Sequence, residues 1–298
     1  MPKTALILGA NGRFGRHITT ALTRHGWHTK LFKRATDTLP DAAIGADLIV
    51  NAWNIPYARW VAEIPAQTEA VISAAKASGA AVLIPGNIYV YGADLPATLT
   101  AHTPHKATNP LGQIRREMEG TYRKAGVKTV ILRAGDYIDT EASGNWFDRI
   151  IAAKIRKGRF TYPGPLDQPH LWGYLPDLAE AGASLADRLD ELPHFTDVLH
   201  EGFTLTGAEL AQAIERATGT TLRQSQMAWW PIQLVRPFWS EAKHIVEMRY
   251  LWQRPHSAEC AAALSTQNAT PLEEALRTAC APLLQKSTST QTSRWSVA

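Results

Sequence analysis

The chain has 298 residues, 45% of them hydrophobic, and a formal net charge of +4, which allows one large or two ordinary domains. Its positive charge is dispersed, and Arg115-Arg116 is offset by Glu117 and Glu119, which excludes a basic stripe for nucleic acid. The first apolar run is short and broken by glycine, and no stretch reaches membrane-spanning length, so neither a signal peptide nor a membrane partner is expected.

Thr4-Ala5-Leu6-Ile7-Leu8 reads as a buried parallel strand. The run Gly9-Ala10-Asn11-Gly12-Arg13-Phe14-Gly15 follows, and a helix is predicted over 13–25. A strand feeding a helix through spaced glycines is a phosphate-binding device. The helix start offers unpaired N–H groups and partial positive charge, and the glycines let a pyrophosphate approach the backbone. Strands are predicted at 28–33, 46–52, 80–84 and 128–133, with helices at 60–78 and 110–125. This alternation predicts an α/β fold, a doubly wound parallel Rossmann sheet.

After Gly135 the chain turns rich in aromatics, proline and glycine. A helix is expected from Asp177 to Leu189, with Asp177 as its N-cap, and another over 208–217 opened by Thr206-Gly207, with Glu209 in its first turn. The last hundred residues read as mostly helical and Trp-rich. The chain therefore divides into a dinucleotide-binding domain, 1–195, and a smaller C-terminal substrate or cap domain, 196–298. The Ser/Thr-rich stretch from Lys286 to Ala298 reads as a frayed tail. Of ten tryptophans, most are expected in the core or between domains and a minority along an aromatic pocket. Cys260 and Cys280 lack metal-ligand spacing; no metal is expected, and a reduced, cytoplasmic setting is the simplest reading.

In dinucleotide folds an acid at the end of the second strand binds the ribose 2′-hydroxyl, whereas a base accepts a 2′-phosphate. Here the strand ends Phe32-Lys33-Arg34, and no carboxylate stands before Asp37. Arg34, helped by Lys33 or Arg13, predicts NADP as the cofactor. Asn51-Ala52-Trp53 at the end of the third strand is expected beside the adenosine ribose and diphosphate, with Ala52 giving clearance.

These segments resemble the short-chain dehydrogenase/reductase superfamily, in its extended, epimerase/dehydratase-like branch. Gly9 to Gly15 matches the opening fingerprint. Asn87-Ile88-Tyr89-Val90-Tyr91-Gly92 is similar to Ser-x-x-Val-Tyr-Gly. Asn109 to Glu119 is similar to the helix that carries Tyr-x-x-x-Lys. Leu132-Arg133-Ala134-Gly135 resembles the strand end near the nicotinamide, and Tyr174 to Ala179 resembles Val-x-Asp-x-Ala. The resemblance implies a Ser or Thr holding the substrate oxygen, a Tyr acid and a Lys that tunes it and binds ribose. This chain has Asn87, Leu111 and Arg115 there. Leu cannot transfer a proton. Arg115 can still hold ribose hydroxyls, and Asn87 can still donate to a carbonyl.

The catalytic candidates are thus Asn87, Arg115, Tyr89 and Tyr91. The cofactor candidates are Gly9, Asn11, Gly12, Arg13, Phe14, Gly15, Lys33, Arg34, Asn51, Ala52, Trp53 and Arg115. Asp136 and Tyr137 are placed at the mouth of the site, and His102, His105 and His170 in loops overhanging the cleft. The expected function is an NADP(H)-binding oxidoreductase or epimerase-like protein with a small, aromatic or apolar ligand; the alternative is a catalytically inactive redox sensor. The superfamily's habit of pairing through two helices allows a homodimer. Restoring the pair by Leu111→Tyr with Arg115→Lys is expected to create turnover.

Overall fold

The computed structural model describes residues 2–260 and 269–285; the stretch read as a tail, 286–298, lies outside the described residues. Strands made of Leu, Ile and Val without polar alternation must be covered on both faces, and helices supply that cover. The first half runs β1 (Thr4–Leu8), α1 (Arg13–Arg24), β2 (His28–Leu31), α2 (Leu39–Ala43), β3 (Leu48–Asn51), α3 (Trp60–Ser78), β4 (Ala81–Asn87), β5 (Thr98–Leu99), α4 (Pro110–Ala125) and β6 (Thr129–Ala134). The second half runs β7 (Asp136–Ile138), β8 (Arg159–Tyr162), β9 (His170–Tyr174), α5 (Leu175–Asp187), β10 (Phe195–Leu199), β11 (Phe203–Leu205), α6 (Gly207–Thr218), β12 (Arg223–Gln226), α7 (Trp230–Val235), α8 (Ser240–Glu247), β13 (Ser257–Ala258) and α9 (Leu272–Leu284).

Six strands form one parallel sheet in the order β10-β6-β4-β3-β1-β2. The chain winds outward from β1 to β2, then reverses through β3, and the crevice opens between β1 and β3, where such sheets bind ligands. One core layer gathers Ile64, Val71 and Tyr122 of α3 and α4 against Leu6, Ile49 and Ile131. The opposite layer packs Ile18 and Leu22 of α1 with Leu178 and Leu185 of α5 against Ile7, Val50 and Leu132. A third core, with Trp172, Trp252, Leu210 and Leu276, lies under the C-terminal elements. No helix of the described residues is long and apolar enough to cross a membrane.

Three local expectations change. β4 runs past the predicted end at Ile84, through Pro85 and Gly86 to Asn87. A Cβ at Gly86 would stand 2.7 Å from the Ile131 side chain, so only glycine fits between the strands there. The sheet also gains β10, which spans position 195, so Thr196–Leu199 sit within the sheet. Asp177 is not an N-cap: α5 starts at Leu175, and the Asp177 carboxylate accepts from the Thr270 N–H at 2.9 Å and hydroxyl at 2.6 Å. The helix opened by Thr206 forms as read, with Thr206 and Glu209 in a reciprocal capping box.

Candidate active site at the carboxyl ends of the strands

The glycine turn is built by close packing. Gly9 has φ +78°, a left-handed conformation, and a Cβ on it would stand 2.6 Å from the Ala52 carbonyl oxygen at the end of β3. A Cβ on Gly15 would overlap the Gly9 carbonyl. Gly12, at an ordinary φ of −77°, is the N-cap of α1, and its N–H donates to the Gly9 carbonyl at 2.8 Å. No side chain caps α1 and no acid stands in its first turn, so its positive end is not neutralised by its own chain. Asn11 is exposed beside it.

At the outer edge, Arg34 lies over the Trp53 ring at 5.0 Å and Phe32 meets the same ring edge-on. Lys33 and Arg34 are exposed. Asp37 folds back onto this turn, accepting from the Lys33 N–H at 2.7 Å and from the Thr36 hydroxyl. The Lys33 backbone bond holds its carboxyl below the usual range. Arg13 does not join Arg34. Its guanidinium turns inward and donates to the Ser143 and Gly144 carbonyls at 3.0 and 2.8 Å.

Between the strand ends lies a cleft of about 150 Å³. Arg13, Phe14, Asn51, Ala52, Trp53, Asn87, Tyr89 and Arg115 all line it, so the structure brings together residues drawn from four separate sequence segments. Asn87 keeps its side-chain oxygen on the Tyr89 N–H at 3.1 Å. Arg115 donates to the Pro85 carbonyl at 2.9 Å and stacks over Trp60 at 5.4 Å, while its Nε is buried without a partner. The Asn51 amide donates to the Tyr122 hydroxyl at 3.3 Å, and its Oδ1 is likewise orphaned. Buried polar atoms are rarely left unmade, and both of these lie on residues facing the cleft.

Other candidates fall elsewhere. Tyr91 is buried outside the cleft, against His105 and beneath Arg133, with burial pushing its pKa up to about 12. Leu111 is fully buried and does not line the cleft; its N–H donates to Glu247 of α8 at 2.8 Å. A tyrosine at 111 therefore has no open space, which overturns the expected gain from Leu111→Tyr. His102 is exposed on a turn. His105 stands 3.6 Å from Glu119 and 3.4 Å from Asp197, a trio with metal-ligand chemistry. Buried Arg133 already grips both carboxylates at 3.0 and 2.7 Å and donates to the Asn87 carbonyl, so the trio is a buried charge network that braces β4. His170 is not in a loop but on β9, where it pairs with Asp136 at 2.9 Å and stacks on Trp252.

Sequence reasoning missed Tyr57, which lines the cleft and shares a 2.7 Å hydroxyl hydrogen bond with Tyr89. It also did not single out Trp60 or Leu251, which complete the wall. Of the tryptophans, Trp53, Trp60 and Trp146 face the cleft, while Trp172, Trp229 and Trp252 are buried in the third core.

No family model matches the chain, and no curated protein matches its sequence. Solved structures do match. UDP-glucose 4-epimerase from Brucella ovis, in complex with NAD, aligns at a TM-score of 0.69 and 15% identity, over 95% of this chain and 98% of that one. UDP-glucuronic acid 4-epimerase from Bacillus cereus, also with NAD, aligns at a TM-score of 0.71 and 13% identity, over 94% and 96%. The dTDP-4-dehydrorhamnose reductase from Yersinia enterocolitica aligns at 0.65 and 18% identity, over 94% and 99%. The chain thus has the fold of these epimerases and of this reductase along nearly its whole length.

Proposed function

We propose that this chain binds NADP(H) and works as an oxidoreductase or epimerase-like enzyme on a small carbonyl or alcohol ligand of apolar or aromatic character. The observation that carries this reading is the bare, positive start of α1 opening onto a cleft that holds an orphaned Arg115 Nε and Asn51 Oδ1. Those groups fit a dinucleotide: the α1 N–H groups take the pyrophosphate, and Arg115 holds ribose hydroxyls. Arg34 and Lys33 take the 2′-phosphate, with Trp53 bracing the Arg34 guanidinium. A bound nicotinamide supplies hydride chemistry. The Asn87 amide, fixed through its oxygen by the Tyr89 N–H, is left with its NH2 to donate to a substrate oxygen. Trp60, Trp146 and Leu251 keep the cleft wall apolar. The C-terminal elements serve as the substrate cap.

Calorimetric titration with NADPH and NADH tests this. NADPH should bind more tightly, and Arg34→Ala should weaken NADPH by about 1–3 kcal/mol, the value of a charge-assisted hydrogen bond, with NADH barely affected. Equal affinities in the unaltered protein overturn the NADP assignment. The sensor reading is favoured by the leucine at position 111, which has no proton to transfer. Tight NADPH binding with no reduction of any aldehyde or ketone in a panel would select it.

A further inference from the structure

Arg115 lines the cleft, but the position one turn earlier, where relatives place an acid, is a buried leucine. Three tyrosines face the cleft instead: Tyr57, Tyr89 and Tyr137. Tyr57 and Tyr89 are hydrogen-bonded to each other, and burial pushes Tyr57 up to about 12 and Tyr89 well above its ordinary value. Both are poor acids at neutral pH.

Tyr137 is placed differently. It sits on β7, three residues past Ala134, and Ala134 is the register partner of Asn87 across β4 and β6. Its register partner on β9 is Gly173, and the ring packs beside that glycine, whose Cβ position lies 3.6 and 3.8 Å from the Tyr137 ring, ordinary contact distance. Its hydroxyl makes no hydrogen bond among the described residues. Burial raises its pKa, and two guanidiniums, Arg115 before Arg13, pull it back down, against a smaller opposing push from Asp136.

We propose that Tyr137, beside Arg115, is the proton donor of this cleft in place of the tyrosine absent at position 111, and that its substrate is a ketone or aldehyde with an apolar, aromatic body. This rests on the cofactor reading above. NADPH is the reductant the reaction requires. The hydride given up from the C–H bond of the reduced nicotinamide forms the new C–H bond at the carbonyl carbon, which is reduced as the C=O π pair moves onto oxygen. The oxygen takes the Tyr137 O–H proton. The tyrosinate, held by Arg115, regains a proton from solvent, so one proton is consumed and the products are an alcohol and NADP+. Trp60, Trp146, Ile88 and Leu251 supply the apolar wall that selects the substrate body, and Asn87 faces its oxygen.

The test needs no ligand in its first arm. Tyrosinate formation is followed by ultraviolet difference spectroscopy in the unaltered protein, Tyr137→Phe, Arg115→Met and Arg115→Lys. Tyr137→Phe should delete one proton from the earliest-ionising phase. Arg115→Met should raise that midpoint by about one pH unit or more, the effect of losing a neighbouring opposite charge, while Arg115→Lys keeps it near its starting value. In the second arm, Tyr137→Phe should bind NADPH within about twofold of the unaltered protein and lose carbonyl reduction by about 100-fold or more, the scale of acid catalysis. An early phase that survives Tyr137→Phe, or ignores Arg115→Met, overturns the pairing. Undiminished reduction by Tyr137→Phe overturns the donor role. Failure of the unaltered protein to bind NADPH overturns the cofactor reading and the donor role with it, and the titration arm separates that outcome from a wrong tyrosine.

Discussion

Two of the helices that line the cleft, α1 and α4, treat their positive ends in opposite ways. The start of α1 has glycine at the cap and no acid in its first turn. The start of α4 is sealed from within, because Glu247 of α8 accepts from both the Leu111 N–H and the Asn109 side chain at 2.8 and 2.9 Å. The same dipole is open to a ligand at one helix and satisfied by a carboxylate of the chain at the other. The start of α1 is therefore open to a ligand, while the start of α4 is closed by the chain itself. Under the proposed function, chemistry in this cleft comes from its other walls, β4, β7 and the loop that carries Tyr57.

The sharpest way to break this comparison is at the glycine turn. Gly15→Ala drives a methyl group into the Gly9 carbonyl, backbone that cannot step aside, and should cost about 3 kcal/mol in denaturant unfolding, the upper range of overpacking. Gly12 has more room, with a Cβ 3.1 Å from the Gly9 oxygen and no positive φ. Gly12→Val should therefore keep the fold and abolish NADPH binding, read as a melting temperature near the starting value with no calorimetric heat. Retained binding in a folded Gly12→Val protein would place the phosphates away from α1.

The next effect probes the sealed helix. Leu111→Tyr with Arg115→Lys puts a hydroxyl and extra volume into a fully buried site and should destabilise the protein by about 1–3 kcal/mol, without raising carbonyl reduction above that of Arg115→Lys alone. A gain in turnover over Arg115→Lys alone would show that position 111 can still reach the cleft and that α4 is not closed.

The smallest effect lies at the far end of α1. Burial opposes the charge on His25, but hydrogen bonds to Asp187 at 2.6 Å and Glu180 at 2.5 Å outweigh it, and its pKa is raised. The native state therefore binds this proton more tightly than the unfolded chain. The resulting stability is complete below the unfolded value of about 6.5 and is lost as pH rises through the higher folded value. The group is partly exposed, so less than about 1 kcal/mol is expected after solvent screening. Melting temperatures of the protein and of His25→Gln should converge as pH rises from 6 toward 8; parallel curves would remove His25 from the link between α1 and α5.

Local sequence carried the elements with strong periodicity. α3 falls on its predicted range, 60–78, and α4 on 110–125, because a long Ala-rich run and a long amphipathic one, each with glycine just past the end, leave few alternatives. Gly15 was legible because its role is a steric demand inside one strand–turn–helix unit, whereas the close approach of Ala52 to Gly9 comes from β3. β10 was not legible, because Phe195-Thr196-Asp197-Val198-Leu199 is short and carries an acid whose partner, Arg133, lies 64 positions away. The extension of β4 past Ile84 was not legible either, because nothing nearby announces the close partner strand that makes Gly86 fit there.

The sequence by itself thus determined the close-packed glycine turn, the doubly wound α/β sheet and the leucine at position 111. Each is a property of residues adjacent in the chain or of one periodic segment. Only the tertiary structure decided that Arg13 turns inward to Ser143 and Gly144, that Glu247 seals α4, that Tyr91 leaves the cleft, and that Tyr57 enters it. Those outcomes depend on which distant segments converge and on how burial and neighbouring charges are balanced there, and neither quantity is written in the local order of residues.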